Sequence, residues 1–331
     1  MPWQKRGLIY NVDNRIKWAS NSVMTPTPFL ISENVIRVYA SFRDDVGRGR
    51  IGYVDLDAMD PQKILKISKA PVLDIGEKGM FDDNGMILGD VICVGDEMWM
   101  YYVGFQHVAN VKFFASSGLA ISKDGGENFN RYQKTPILDR TDNAPFGRAV
   151  HTVMRDDNKF RVWYAAMCGW RFINDVPYPE YYIRCTESKD GKYFPDSEGI
   201  ECLRPNVNEY RLGRPMVKKK TNGKYEMRFT YDTLQKEYKM GYAESTDGIN
   251  WIRIDDVSNI VTTSTVGWDS EMTCYPATIT IKDKTYMFYN GNGMGKTGFG
   301  YAQLDKCEGG GVLLHVNVEV YNCNNLIKLA A

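Results

Sequence analysis

The chain has 331 residues, and its 41 Lys plus Arg balance 41 Asp plus Glu, for a formal net charge of zero. That balance argues against a nucleic-acid or anionic-membrane partner, while the length suits one large domain or two smaller ones. No apolar run reaches the roughly 18 residues of a membrane span, and the opening Met1-Pro-Trp-Gln-Lys-Arg-Gly7 lacks the apolar centre of a signal peptide.

In chain order, short strand-like runs recur as triplets separated by polar turns. The first strands are Thr27–Ile31, Gly89–Cys93, Ala149–Val153, Pro215–Lys218 and Pro276–Thr280. The second, rich in aromatic and β-branched residues, are Val35–Ser41, Met98–Gly104, Phe160–Ala166, Tyr225–Tyr231 and Tyr286–Gly291. The third are Arg50–Val54, Gly118–Ile121, Tyr182–Cys185, Met240–Ala243 and Phe299–Ala302. A Ser-x-Asp-Gly motif follows the third strand in three copies, at Ser122-Lys-Asp124-Gly125, Ser188-Lys-Asp190-Gly191 and Ser245-Thr-Asp247-Gly248. Asp-Gly favours a hairpin, because Asp tolerates the left-handed backbone region and Gly adopts it freely. An aromatic follows each copy (Phe129, Phe194, Trp251) and can cover the sheet edge.

Five such copies predict an all-β chain built as a single five-bladed β-propeller, with blades near residues 23–79, 80–144, 145–210, 211–269 and 270–306. The strand-like segments 7–10 and 312–321 are candidates for an outer strand that closes the ring or forms an edge. The final Lys328-Leu-Ala-Ala331 looks like the start of a vector-encoded tag. The seven cysteines (93, 168, 185, 202, 274, 307 and 323) form no Cys-x-x-Cys pair and are expected as reduced, mostly buried thiols of a cytoplasmic protein. The three histidines, His107, His151 and His315, show no metal-ligand spacing, so no cofactor is expected, although a propeller channel leaves room for a structural cation.

In a propeller the innermost strands converge on one rim of the channel, so polar residues there are the candidate site. They are Asn21, Ser22 and Thr25, then Asp82, Asp83 and Asp90, then Arg148 and His151, then Arg211 and Arg214, then Asp269, Glu271 and Tyr275. Loops after the second strands add Gln106, His107, Trp170, Arg171, Asp232 and Asn292. Carboxylates beside Arg and Tyr are what glycoside cleavage needs, one protonated to serve the leaving oxygen and one acting as nucleophile or base. Asp82 or Asp83 with Glu271 is the expected acid–base pair. Arg148, Arg211 and Arg214 would orient an anionic group, and Tyr275 and Trp170 would line the sugar site, since aromatic rings offer an apolar face to pyranose C–H groups. Equally, Asp82 and Asp83 suit a solvated turn, and the three arginines suit braces between blades.

Trp268-Asp-Ser-Glu-Met272, Tyr275-Pro276, Tyr286–Asn292, Gly298–Ala302, Phe81-Asp-Asp83 and Tyr242–Trp251 together resemble the five-bladed propeller glycosidases, over residues 20 to 305. The nearest groups are glycoside hydrolase families 43, 32 and 68 and the family 130 phosphorylases. The resemblance implies a carbohydrate-active enzyme that cleaves a glycosidic bond by hydrolysis or phosphorolysis, while the Arg148, Arg211 and Arg214 set would suit a phosphate or a sugar carboxylate. Families 43 and 32 use three acids, the first in blade 1, where this chain reads Asn21-Ser-Val-Met-Thr25-Pro-Thr-Pro28. Glu271 resembles the general-acid Glu but lies in the last blade rather than the fourth. Family 130 enzymes keep one acid and hold phosphate with basic residues. A saccharide-binding propeller without catalysis, and a sugar-nucleotide or glycan-assembly enzyme, share the same fold evidence.

Overall fold

A computed structural model describes residues 2–156, 159–195, 198–235 and 238–304. The described chain is all-β. Its first strand, β1 (Gln4–Tyr10), finds its partner at the far end of the sequence. Next come four antiparallel strands, β2 (Ser22–Ser32), β3 (Val35–Arg43), β4 (Gly49–Asp57) and β5 (Ile64–Ile67). The same meander repeats in β6 (Met86–Val94), β7 (Glu97–Gln106), β8 (Phe114–Ser122) and β9 (Asn130–Arg131). It repeats again in β10 (Gly147–Asp156), β11 (Lys159–Ile173), β12 (Val176–Ser188) and β13 (Ile200–Leu203). A fourth copy is β14 (Glu209–Lys219), β15 (Tyr225–Thr233), β16 (Lys239–Ser245) and β17 (Trp251–Arg253). Last are β18 (Cys274–Ile281), β19 (Lys284–Asn290) and β20 (Phe299–Leu304), with β1 paired antiparallel to β20 as the outer strand. The segment 7–10 therefore supplies an outer strand, and 312–321 lies outside the described residues. The middle three meanders run on as one sheet, joined where Gly147 pairs parallel with Ala115 and Tyr181 with Arg211.

Apolar cores lie between consecutive meanders. Val38, Phe42, Tyr286, Phe288 and Phe299 join the last meander to the first. Tyr39, Tyr53, Met98 and Tyr102 join the first to the second, and Trp99, Tyr101, Phe160 and Tyr164 the second to the third. Trp163, Ile183, Met227 and Phe229 join the third to the fourth, and Met240, Met287 and Tyr289 the fourth to the last. The aromatic-rich second strands supply most of these side chains because each is flanked on both sides and buries both of its faces.

The repeated Ser-x-Asp-Gly turns clamp one meander to the next. Ser122 Oγ, Ser188 Oγ and Ser245 Oγ each accept the amide of Gly126, Gly191 or Gly248 at 2.9 Å, and each hydroxyl also donates to the neighbouring Asp. The same three glycine carbonyls accept Tyr39 Oη, Tyr101 Oη and Trp163 Nε1 from the preceding meander, at 3.0, 2.9 and 2.9 Å. All three glycines are left-handed, and a Cβ on Gly126 would lie 2.0 Å from Tyr39 Oη. Gly126→Ala is therefore expected to lose about 2–3 kcal/mol, from the left-handed penalty and the displaced hydrogen bond. Urea unfolding measures it, and a loss under 0.5 kcal/mol would show that the clamp contributes little.

Among the cysteines, Cys185 and Cys274 are buried free thiols, Cys202 is partly buried and Cys168 is exposed. Cys93 is buried. Cys307 and Cys323 lie outside the described residues.

Candidate functional site

The first strand of every meander breaks register at the same place. The irregularities fall between Met24 and Thr27, Leu88 and Asp90, Val150 and Thr152, Gly213 and Met216, and Cys274 and Ala277. A bulge bends its strand and re-aims the extra residue. Thr25, Arg214 and Tyr275 sit in these bulges with φ of 55°, 54° and 56°, and each precedes a proline. That conformation is costly for a β-branched Thr and runs against the extended preference of a residue before proline. Such strain, of order 1–3 kcal/mol per residue, concentrates where side chains must be held for function.

Thr25, His151, Arg214 and Tyr275 line one cavity of about 330 Å³. Its cations are Arg43, Lys112, Arg211 and Arg214, and His107 and His151 join them. Its rings include Phe105, Phe113, Tyr178, Tyr181, Tyr238 and Tyr275, with Met24, Met86 and Met167 as apolar wall. No Asp or Glu is among the described lining residues. A largely apolar cleft with a few convergent polar groups is the usual form of a small-ligand site.

The cations differ in how they are held. Arg211 gives Nε (3.1 Å) and Nη2 (2.5 Å) to Asp232 Oδ2, which also accepts the Tyr210 hydroxyl. Burial works against the Arg211 guanidinium, but the Tyr181, Tyr238 and Tyr210 phenols and Asp232 hold it above its ordinary pKa. Its guanidinium carbon stands 4.7 Å from the Tyr238 ring centre, within cation–π range. Arg214 donates to the Leu88 and Gly89 carbonyls and to Thr27 Oγ1, and burial lowers its pKa to about 10. Arg43 ends β3, and among the described residues its side chain makes no hydrogen bond or ion pair. Burial pushes its pKa down, with the Tyr275 phenol opposing. Burial, and Arg214 nearby, also push His151 well below its usual range, so the imidazole is neutral at pH 7; its Nδ1 meets no partner among the described residues. Lys112 is exposed and lies 4.7 Å from the Tyr178 ring centre.

Asp90, next to the Gly89 bulge, accepts the Val91 and Val153 amides at 2.9 Å each, yet burial raises its pKa to about 6. The folded protein keeps this proton to higher pH than the unfolded chain, whose Asp titrates near 4. The group's contribution is thus complete below about pH 4 and is lost as pH rises through 6. Asp90→Asn should gain about 3 kcal/mol relative to wild type between pH 4 and pH 6, at about 1.4 kcal/mol per pH unit. Parallel stability profiles of the two proteins over that window would refute this.

Of the residues expected at the site, His107, His151, Arg211, Arg214 and Tyr275 line the cavity. Asp232 stands behind Arg211. Trp170 packs against Phe113 and Phe146, with ring centres 5.4 and 6.4 Å away, and so supports the wall. Gln106 ends β7 opposite Phe114. Arg148 is fully buried and gives Nε to the Asp139 carbonyl, so it is a brace. Asn292 pins a turn, accepting the Glu271 and Met272 amides at 2.8 and 3.2 Å.

The expected acid pair does not meet at the cavity. Asp82 is 0% exposed and is paired with Arg131 at 2.7 Å. Asp83 accepts the Gly79 amide and the Asn84 side chain, which closes a turn. Glu271 is exposed. The expected loop positions of Trp170 and Arg171 also change, because β11 and β12 stay paired out to Ile173 and Val176. Asn174 and Asp175, both left-handed, supply the tight turn that lets this hairpin extend. Arg43, Lys112, Tyr178, Tyr181 and Tyr238 were not anticipated. Arg43 was within reach: taking the end of the second strand in the first blade, as in the others, leads to Ser41-Phe-Arg43. Among the described residues no cluster of three or more His, Cys, Asp or Glu is placed to hold a metal.

The fold has close counterparts among solved structures. A glycoside hydrolase superposes with TM-score 0.70 at 17% identity, over 94% of each chain. A thermostable family-43 glycoside hydrolase gives 0.65 at 16% identity, over 87% of this chain and 91% of its own. A structure from the GH130 family of mannoside phosphorylases, which contains glycoside hydrolases that target β-1,2 mannosidic linkages in Candida mannan, gives 0.66 at 14%, over 92% and 93%. The chain thus has a glycoside-hydrolase-like propeller fold. No protein-family model matches it. It is 31% identical over 306 residues to the uncharacterized proteins MT1551 and Rv1502 of two Mycobacterium tuberculosis strains, covering 92% of this chain and 100% of theirs. The chain belongs to the family of these mycobacterial proteins.

Proposed function

We propose that the five meanders are the blades of a single five-bladed propeller domain, and that the cavity is the substrate site of a carbohydrate-active enzyme cleaving a glycosidic bond in an anionic saccharide. The observation that carries this reading is the lining itself: aromatic rings and guanidinium groups, Arg214 and Tyr275 among them set in strained bulges, with no carboxylate among the described lining residues. Rings offer apolar faces to pyranose C–H groups, and guanidinium groups pair with carboxylate or phosphate. Asp232 is a carboxylate bonded directly to a lining side chain, Arg211, and its Oδ1 has no partner among the described residues. Paired with Arg211 and accepting the Tyr210 hydroxyl, Asp232 is an ionised carboxylate that holds this guanidinium at the cavity.

The lack of a carboxylate among the described lining residues also favours a second reading, a propeller that binds saccharide without cleaving it. Incubation with a panel of acidic, neutral and nucleotide-linked saccharides, with and without inorganic phosphate, separates the two. Release of free sugar means hydrolysis, and release of sugar phosphate means phosphorolysis. A ligand that raises the melting temperature and returns intact supports the binding module. If no saccharide in the panel is bound or cleaved, both readings fail.

A further inference from the structure

We infer that Arg43 is the anion receptor of the cavity and that it takes a single, singly charged carboxylate, so that the ligand is a sugar acid of the uronic type. This rests on the reading of the cavity as a saccharide site and adds which group it holds and by which residue.

The inference follows from how the positive charges are already engaged. Arg211 spends two nitrogens on Asp232, and the pair is close to neutral. Arg214 is held by two carbonyls and a hydroxyl at the channel, where Asp90 is its main electrostatic counterpart. His151 is uncharged at pH 7, and Lys112 and His107 are exposed at the mouth, where water screens them. Among the described lining cations, Arg43 is the partly buried one whose guanidinium makes no hydrogen bond or ion pair. A fork that faces the cavity without a protein partner among the described residues is free to take one brought by the ligand. One uncompensated charge matches a monoanion. A phosphate near −2 would bring a charge with no cation to meet it. The planar fork also fits a carboxylate through two parallel hydrogen bonds. Tyr275, the phenol that couples to Arg43, is aimed here by its left-handed backbone and can donate to the same carboxylate or to a neighbouring ring oxygen.

The test is calorimetric binding of hexuronic acids, each paired with its C6 methyl ester and its parent hexose, with inorganic phosphate as a further probe. Wild type should favour an acid over its ester by roughly 10- to 100-fold, the range of a charged hydrogen-bonded contact. Arg43→Met should abolish that preference while keeping the affinity for the ester, and Arg43→Lys should restore only part of it. Arg43→Met should also melt close to wild type, since no hydrogen bond or ion pair among the described residues is lost. The inference is overturned if acid and ester bind alike, if Arg43→Met keeps the preference, or if phosphate displaces every acid at lower concentration. Neutral sugars bound with no acid preference would sink this inference alone. Wild type that binds no sugar of either kind would sink the saccharide reading with it.

Discussion

Replacing Arg131 with Met is expected to destabilise the protein by about 3–5 kcal/mol, the cost of stranding a buried charge. Asp82 has no solvent exposure, and Arg131 meets its Oδ2 through Nε at 2.8 Å and Nη2 at 2.7 Å. Asp82 Oδ1 has no other partner among the described residues, so little else would shield the carboxylate. Arg131 also donates to the Asp74 carbonyl, tying the strand after the Asp124 turn back to the preceding meander. Asp82→Asn combined with Arg131→Met should recover much of the loss, because no ionised group is then left behind. Urea unfolding of the two single variants and the double variant gives the coupling directly. Additive losses would mean that Asp82 does not depend on Arg131. A double variant that regained stability but lost glycoside cleavage would return Asp82 to the chemistry.

Arg211→Met is expected to fail in two ways at once. Stability should fall by about 3–5 kcal/mol, because Asp232 is 1% exposed and would keep only the Tyr210 hydroxyl. Saccharide affinity should fall by roughly 10- to 100-fold, since the guanidinium carries the Tyr181 and Tyr238 wall and a charge at the cavity. Asp232→Asn keeps the shape and should cost less in both. If Arg211→Met binds saccharide as wild type does, the cavity is not the sugar site. If Asp232→Asn keeps full turnover on a confirmed substrate, the ion pair with Arg211 is not needed for cleavage. The contrast with Arg43 is informative, since among the described residues that arginine has no partner to strand and its removal should act mainly on binding.

The repeat was legible because it is local. Val35–Ser41 and its four counterparts have the alternation and β-branched content that the pleat requires, and Asp-Gly names its own turn. The inner strands are legible for the same reason, and with them Thr25, His151, Arg214 and Tyr275, which line the cavity. Even the role of β1 could be guessed from Gly7-Leu-Ile-Tyr10, since a meander short of one strand needs a partner from elsewhere in the chain.

What the amino-acid order determined by itself was the strand content, the fivefold recurrence, the turn chemistry and the residues that head each inner strand, because each depends on neighbours a few positions apart. The tertiary structure alone decided which charges are free. Asp82 finds Arg131 across 49 residues, and Arg214 finds the Leu88 carbonyl across 126 and Thr27 across 187. Nothing in the local sequence separates these engaged groups from Arg43, whose isolation is a property of the packed meanders. Where the bulges aim their side chains, and that no described carboxylate reaches the cavity wall, likewise follow from strand register, which long-range pairing sets and local propensity does not.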